Sequence, residues 1–133
     1  MTPDPQKNRR SVSSGTIWEN IVGYSRAVRV GNIIEVAGTT AMDEDLVMFP
    51  GDAYAQTQYI LLKIEQALID LGGSLEDVVR TRIYVKDMGL WEEVGKAHGE
   101  VFRHIRPASS MIEIYSLIRD DLLVEIEATA IVS

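Results

Sequence analysis

Ala27-Val28-Arg29-Val30 and Ile33-Ile34-Glu35-Val36-Ala37 are two β-prone runs with Gly31-Asn32 between them, a two-residue loop of the kind that closes hairpins. The pattern predicts a β-hairpin. Gly38 to Asp52 reads as a long connection, acidic at Asp43, Glu44 and Asp45, with room for a short strand at Leu46 to Phe49. The period then changes. Asp52 is suited to capping a helix, and Ile60, Leu61, Ile64, Ala67, Leu68 and Leu71 recur at three- and four-residue spacing as one apolar stripe. Gly72-Gly73 ends that helix.

Next, VVRTRIYVK alternates, with Val79, Thr81, Ile83 and Val85 assigned to one face and Arg80, Arg82, Tyr84 and Lys86 to the other, the mark of a half-buried strand. Asp87 is placed as the cap of a second helix, whose stripe is Leu90, Trp91, Val94, Ala97, Val101 and Ile105, and Pro107 stops it. Gly95 and Gly99 inside that helix cost about 1 kcal/mol each against Ala, which points to close packing as compensation. Met111 to Leu117 and Leu123 to Val132 are the last two strands. The order is β-β-(β)-α-β-α-β-β, with no internal repeat. Two helices on one face of a mixed sheet make an α+β, two-layer sandwich. Residues 1–15 lack any sustained period and are expected to be a flexible N-terminal arm, leaving 16–133 as a single domain.

In the last strand Val124, Ile126, Ala128 and Ala130 are assigned to the helix side. The other side carries Leu123, Glu125, Glu127, Thr129 and Ile131, a mixture of charge and aliphatic groups. A solvated face with scattered apolar residues is the plainer reading. A face buried against another subunit is the sharper one, because monomers seldom leave a large apolar-rich surface bare.

Composition narrows the chemistry. With 133 residues, 46% hydrophobic and 25% charged, the chain is an ordinary globular sequence long enough for a full core. It has no cysteine, so disulfides, thiolate nucleophiles and cysteine-held metals are excluded, in keeping with a reducing cytoplasm. The first residues lack the apolar core of a signal peptide, and no apolar run approaches the length of a membrane span. A formal charge of −7 works against nucleic acid as a partner, since phosphate binding depends on clustered Lys and Arg.

GYSRAVRVGNIIEVAGT, DVVRTRIYVKDM, RPASSMIEI and LLVEIEATA resemble, in order and in spacing, segments of the reactive intermediate deaminase (Rid, YjgF-like) family. The resemblance runs from about Tyr24 to Val132. It implies a chorismate-mutase-like fold and a homotrimer whose sheets form a central barrel with clefts between adjacent subunits. It also implies hydrolysis of reactive enamines and imines to ammonia and a 2-keto acid, without a metal or organic cofactor. In the family an arginine holds the substrate carboxylate and a glutamate of the last strand positions the attacking water.

Carried over by residue, the family's Pro-Ala-Arg-Ser becomes Pro107-Ala108-Ser109-Ser110, so Ser109 stands in the place of the arginine. Glu125, in Glu125-Ile126-Glu127-Ala128, matches the water-positioning glutamate. The turn before it, Ile118 to Leu123, is one residue longer than the family pattern. Tyr24 matches a motif tyrosine, and Arg26 replaces the glutamine two residues on. Gly95 takes the place of a cleft asparagine, and His98 that of an aromatic.

From the residues themselves, Glu125 is a base if a cleft desolvates it, or else one partner of a salt bridge to Arg80, Arg82 or Arg26. Serine needs an adjacent base and an oxyanion site to act as nucleophile. The spacing puts neither His98 nor His104 beside Ser109, which therefore reads as a small polar residue opening a strand. Its hydroxyl can hydrogen-bond a ligand, more weakly than an arginine fork. The two histidines are six residues apart, which does not put them on one helical face as i,i+4 metal ligands would be. Arg26, Arg103 and Arg106 are the candidate replacements for the clamp.

The expected site is a pocket at a subunit interface, with Glu125 catalytic and Tyr24, Arg26, Ser109 and Ser110 binding a small molecule. The leading function is a cofactor-independent deaminase of small imines, enamines or related C–N metabolites with altered specificity. The alternative is a non-catalytic, metabolite-binding trimer. An endoribonuclease ranks last, given the acidic charge and the lack of a paired-histidine acid and base.

Overall fold

The computed structural model describes residues 8–133. Its elements are β1 (Arg9–Val12), α1 (Ile17–Val22), β2 (Ala27–Val30), β3 (Ile33–Thr39), β4 (Met42–Asp43), β5 (Leu46–Val47), α2 (Ala53–Asp70), β6 (Val78–Val85), α3 (Trp91–Phe102), β7 (Ala108–Glu113) and β8 (Val124–Ile131). Six strands form one sheet in the order β1-β2-β3-β8-β6-β7, and β4 and β5 form a separate two-stranded pair. Every pairing in the large sheet is antiparallel except β6 with β7. β8 enters the sheet between β3 and β6, so both long helices serve as crossovers between strands that run the same way.

The hairpin of β2 and β3 closes over Gly31-Asn32, as the alternation predicts, with Val30 opposite Ile33. Gly31 supplies the positive φ of 59° that such a loop requires. Asp52 caps α2 by accepting a hydrogen bond from the Ala55 amide at 2.9 Å. All six residues of the predicted stripe are buried, and burying each aliphatic side chain contributes about 1.5–3 kcal/mol. The helix stops where Gly72 takes φ 81°. The Gly73 and Gly72 amides then bond back to the Leu68 and Ile69 carbonyls at 2.8 and 3.0 Å, satisfying groups that would otherwise be orphaned. Arg29 and Arg10 both donate to the Leu71 carbonyl, at 2.7 and 3.4 Å, placing positive charge at the negative end of the α2 dipole.

The helices cover one face. Ile34, Val36, Val78, Ile83, Val85, Val124, Ile126, Ala128 and Ala130 are buried beneath them, so the predicted inward set of β8 holds. The opposite, open face carries Glu35, Arg80, Arg82, Tyr84, Glu125 and Glu127.

Several expectations need correction. Residues 1–7 of the expected arm lie outside the described residues, but Arg9–Val12 is a strand paired along β2. Its polar sequence has no period because it is an edge strand. α1 was not anticipated either. In β6 a bulge between Val78 and Arg80 brings Val78 inward and leaves Val79 42% exposed, so the inward set is Val78, Thr81, Ile83 and Val85. Asp87 caps a short 3-10 turn at Met88–Leu90, accepting from the Gly89 amide at 2.8 Å, and α3 follows directly. Trp91 of the predicted stripe is exposed, while Phe102 is buried in its place. Gly95 and Gly99 are not sites of close packing. A Cβ at either would meet nothing nearer than 3.8 Å. β7 spans Ala108–Glu113 rather than reaching Leu117.

Candidate functional site

Glu125 lies on the open face, half-buried, opposite Tyr84 of β6. On its other side β3 bulges between Val36 and Thr39, a distortion that often accompanies sites. The bulge contains Gly38, and a Cβ built there would lie 2.7 Å from Glu125 Oε1. The carboxylate thus rests over the one backbone position whose lack of a side chain admits it. Burial raises the pKa of Glu125 above the ordinary glutamate value, and like-charge repulsion from Glu127 adds to this, while Arg26 opposes both. No hydrogen bond to its side chain occurs among the described residues.

Arg26 reaches the same bulge. Its Nη2 donates to the Gly38 carbonyl at 2.5 Å, and its Nε is buried without a hydrogen-bond partner. Burial lowers its pKa, while Tyr24, Glu19 and Glu125 pull the other way; an arginine remains charged nonetheless. Gly38 therefore locates both charges, one by its bare Cα and the other by its carbonyl. Glu19 anchors α1 through hydrogen bonds from Ser14 and Thr16, and so fixes the segment that leads to Tyr24.

Two adjoining hollows open on this face. One, of about 650 Å³, is lined by Tyr84, Ile114, Leu117, Ile118, Glu125 and Glu127. The other, of about 390 Å³, has Tyr24, Val28, Glu35, Ala37, Arg82 and Glu127 in its wall. Glu127 is common to both and is held by the Tyr84 hydroxyl at 2.9 Å. A small organic molecule fits either volume.

The predicted residues divide into two groups. Tyr24, Arg26 and Glu125 come together on the open face. Ser110 is on that face too, nearer the sheet edge, where its hydroxyl accepts from Arg80 Nη2 at 3.1 Å. Ser109 points to the helix side, because it registers with Thr81 of β6, and it lines neither hollow. Thr81 Oγ1 donates to Ser109 Oγ at 2.8 Å and lies 2.9 Å from His98 Nε2. Arg103 and Arg106 are exposed. Arg106 takes φ 57°, a left-handed conformation at the close of the turn after α3, where its amide bonds back to the Phe102 carbonyl at 2.8 Å.

Four residues of structural weight escaped the sequence reading. Gln56 is fully buried on the α2 stripe. It donates to the Asp121 and Phe49 carbonyls at 3.0 and 3.3 Å, and its Oε1 accepts from the Leu123 amide at 2.9 Å. Lys63 donates to the Thr40 and Met42 carbonyls, both at 2.9 Å. Its pKa is lowered to about 8 by burial and by Arg26, with Asp43 opposing. Thr81 and Gly38 complete the set. A glutamine on an apolar stripe and a threonine on the inward side of an alternating strand were the available signals. Among the described residues no three His, Cys, Asp or Glu side chains converge as a metal site, and no helix is long and apolar enough to cross a membrane.

The sequence pattern of the Endoribonuclease L-PSP family matches residues 16–132. The 3-aminoacrylate deaminase RutC of Acinetobacter baylyi is 34% identical over 108 residues, covering 80% of this chain and 85% of that protein. A Streptomyces coelicolor protein is 36% identical over 121 residues, covering 91% and 90%. The crystal structure of a YjgF-family member from Mycobacterium tuberculosis superposes with a TM-score of 0.84 at 52% identity, over 93% of this chain and 99% of that one. Escherichia coli YjgF gives 0.73 at 28% identity, over 81% and 87%.

Proposed function

The chain belongs to the Endoribonuclease L-PSP (YjgF/RutC) family, and from that premise we propose that it hydrolyses small imines or enamines, with Glu125 as the base that activates water. The observation that carries this reading is the Glu125 carboxylate itself. It is half-buried in a hollow, free of hydrogen bonds from its own chain among the described residues, and more basic than an ordinary glutamate. The relative named for deaminating 3-aminoacrylate supports the reaction class.

In the reaction, an enamine first tautomerises to its imine, and water adds to the carbon of the protonated C=N bond while giving a proton to Glu125. Glu125 passes that proton to the nitrogen of the resulting carbinolamine, the C–N bond breaks as the hydroxyl proton moves to the freed carboxylate, and a carbonyl compound leaves with ammonia, which takes up the last proton. A positioned general base contributes about 10²–10⁴-fold.

Ser109 and Glu125 lie on opposite faces of the sheet of one chain, so a cleft that includes both takes them from two copies. A homotrimer with interfacial clefts meets that requirement, and the exposed apolar residues of the open face favour it. Ser109 in place of an arginine is also what favours the second reading, a trimer that binds a metabolite without reacting. Net charge −7 argues against an RNA substrate.

The test is ammonia release from a panel of imines and enamines generated in place, including 3-aminoacrylate. We expect 2-imino acids from simple amino acids to turn over poorly. A charged hydrogen bond is worth about 1.5–3 kcal/mol, so its absence costs roughly ten- to hundredfold in rate. Glu125→Gln should lower turnover of the best substrate at least about a hundredfold with folding intact. Equal turnover by that variant would remove Glu125 from the mechanism, and no turnover across the panel would favour the binding reading.

A further inference from the structure

Thr81 is fully buried and is the one polar residue on the inward side of β6. Its hydroxyl joins His98 of α3 to Ser109 of β7 in a single hydrogen-bonded row. The row begins beneath the helix layer and ends at an exposed serine on the edge strand. The His98 ring packs against Phe102, with centroids 4.6 Å apart, which limits how the imidazole can turn.

A threonine hydroxyl has one proton and can give it to only one of its two neighbours. With Thr81 donating to Ser109, Thr81 accepts from His98, the imidazole carries its hydrogen on Nε2, and Ser109 keeps its own proton for a further acceptor; the reverse order would put the His98 hydrogen on Nδ1. Burial lowers the pKa of His98, so near neutral pH the row is uncharged. Hydrogen bonds oriented alike polarise one another, which makes Ser109 a better donor than an isolated serine.

We propose that the His98–Thr81–Ser109 row runs from His98 to Ser109 and is a ligand-recognition device in which Ser109 donates to a neutral carbonyl oxygen, of an amide, ester or ketone, rather than to a carboxylate. A carboxylate here would lose water without gaining a charged partner from the row, whereas a neutral oxygen needs only the single donor offered. Ser109 touches the ligand, and Thr81 and His98 are positioning residues behind it. The inference rests on Ser109 facing the ligand in the cleft proposed above, and it narrows the substrates there to neutral imines and enamines.

Its test requires no turnover. In isotope-labelled protein, the ring nitrogens of His98 should show the Nε2–H tautomer. Thr81→Val should abolish that preference, and Thr81→Ser should restore it. An Nδ1–H tautomer in the unmodified protein would reverse the row and overturn the proposal.

Pyruvamide and pyruvate, alike in size and different in charge, are then titrated while the Ser109 and Ser110 amide signals are followed. Pyruvamide should bind about tenfold tighter, equivalent to about 1.4 kcal/mol. Ser109→Ala should erase the preference and Ser109→Arg should reverse it. Pyruvate binding as tightly as pyruvamide, a preference that survives Ser109→Ala, or no response to either probe overturns the proposal. Failure of the hydrolase reading would appear elsewhere, as turnover indifferent to Glu125→Gln.

Discussion

Glu125 is placed where its charge is costly, and that cost can be measured apart from activity. Its folded pKa lies above the ordinary value of 4.5. The stability linked to its protonated form is therefore fully present below 4.5 and is lost as pH rises through the folded pKa. At pH 7 the native state carries the penalty, and Glu125→Gln should relieve it. Calorimetry should find the variant's Tm higher by about 1–3 °C at pH 7, with the difference shrinking toward pH 4. A lower Tm at pH 7 would mean that the attraction to Arg26 outweighs burial. Lys63 has the opposite sign. Its pKa is depressed to about 8, so the linked stability is present above its ordinary 10.5 and is lost as pH falls through 8. Between pH 7 and pH 10 the urea midpoint of the unmodified protein should rise relative to that of Lys63→Met, by roughly a few tenths of a molar. Parallel profiles would show that the Lys63 ammonium is solvated.

Among the elements, α2 is hydrogen-bonded to the turn before β8 through the side chain of Gln56. Gln56 bonds to the carbonyl of Asp121 and the amide of Leu123, holding the long turn that delivers Glu125. Gln56→Ala would leave buried backbone groups unpaired, at about 1–3 kcal/mol each, and would open a cavity as well. Chemical denaturation should show a loss of about 3 kcal/mol or more. Turnover should fall further than the loss of folded protein explains, because the chain would no longer be pinned at Leu123, the residue before β8. If activity per folded molecule is unchanged, the turn does not position Glu125. The β3 bulge plays the matching part on the other side, since Gly38 seats both Glu125 and Arg26.

For the whole molecule, the open face decides how the protein exists in solution. Val30, Ile33 and Ile131 form a row across three adjacent strands, and each is at least 45% exposed. Ile17, Trp18, Ile21 and Val22 of α1 add further exposed apolar surface. Leaving this much in water is unfavourable by about 25 cal/mol for each Å². Light scattering at micromolar concentration should give three times the 14.8 kDa of one chain. A stable monomer would refute both the trimer and the interfacial cleft.

Local order in the sequence determined most of the fold. The hairpin loop, the Asp52 cap, the Gly72-Gly73 stop and the inward set of β8 depend on steric rules and burial periods spanning a few residues, and all are present as read. Glu125 on the outward side of β8 follows from the same alternation. Tertiary structure decided what alternation cannot carry. A bulge inserts one residue and reverses the faces beyond it, as at Val78–Arg80, and its position depends on the partner strand. The edge strand Arg9–Val12 has no period, because neither of its sides is buried deeply enough to demand one. The face of Ser109 was set by its register against Thr81 across a parallel pair, so its link to His98 was invisible until α3 and β7 were packed. A contact between residues distant in sequence comes from packing geometry, and no local pattern encodes it.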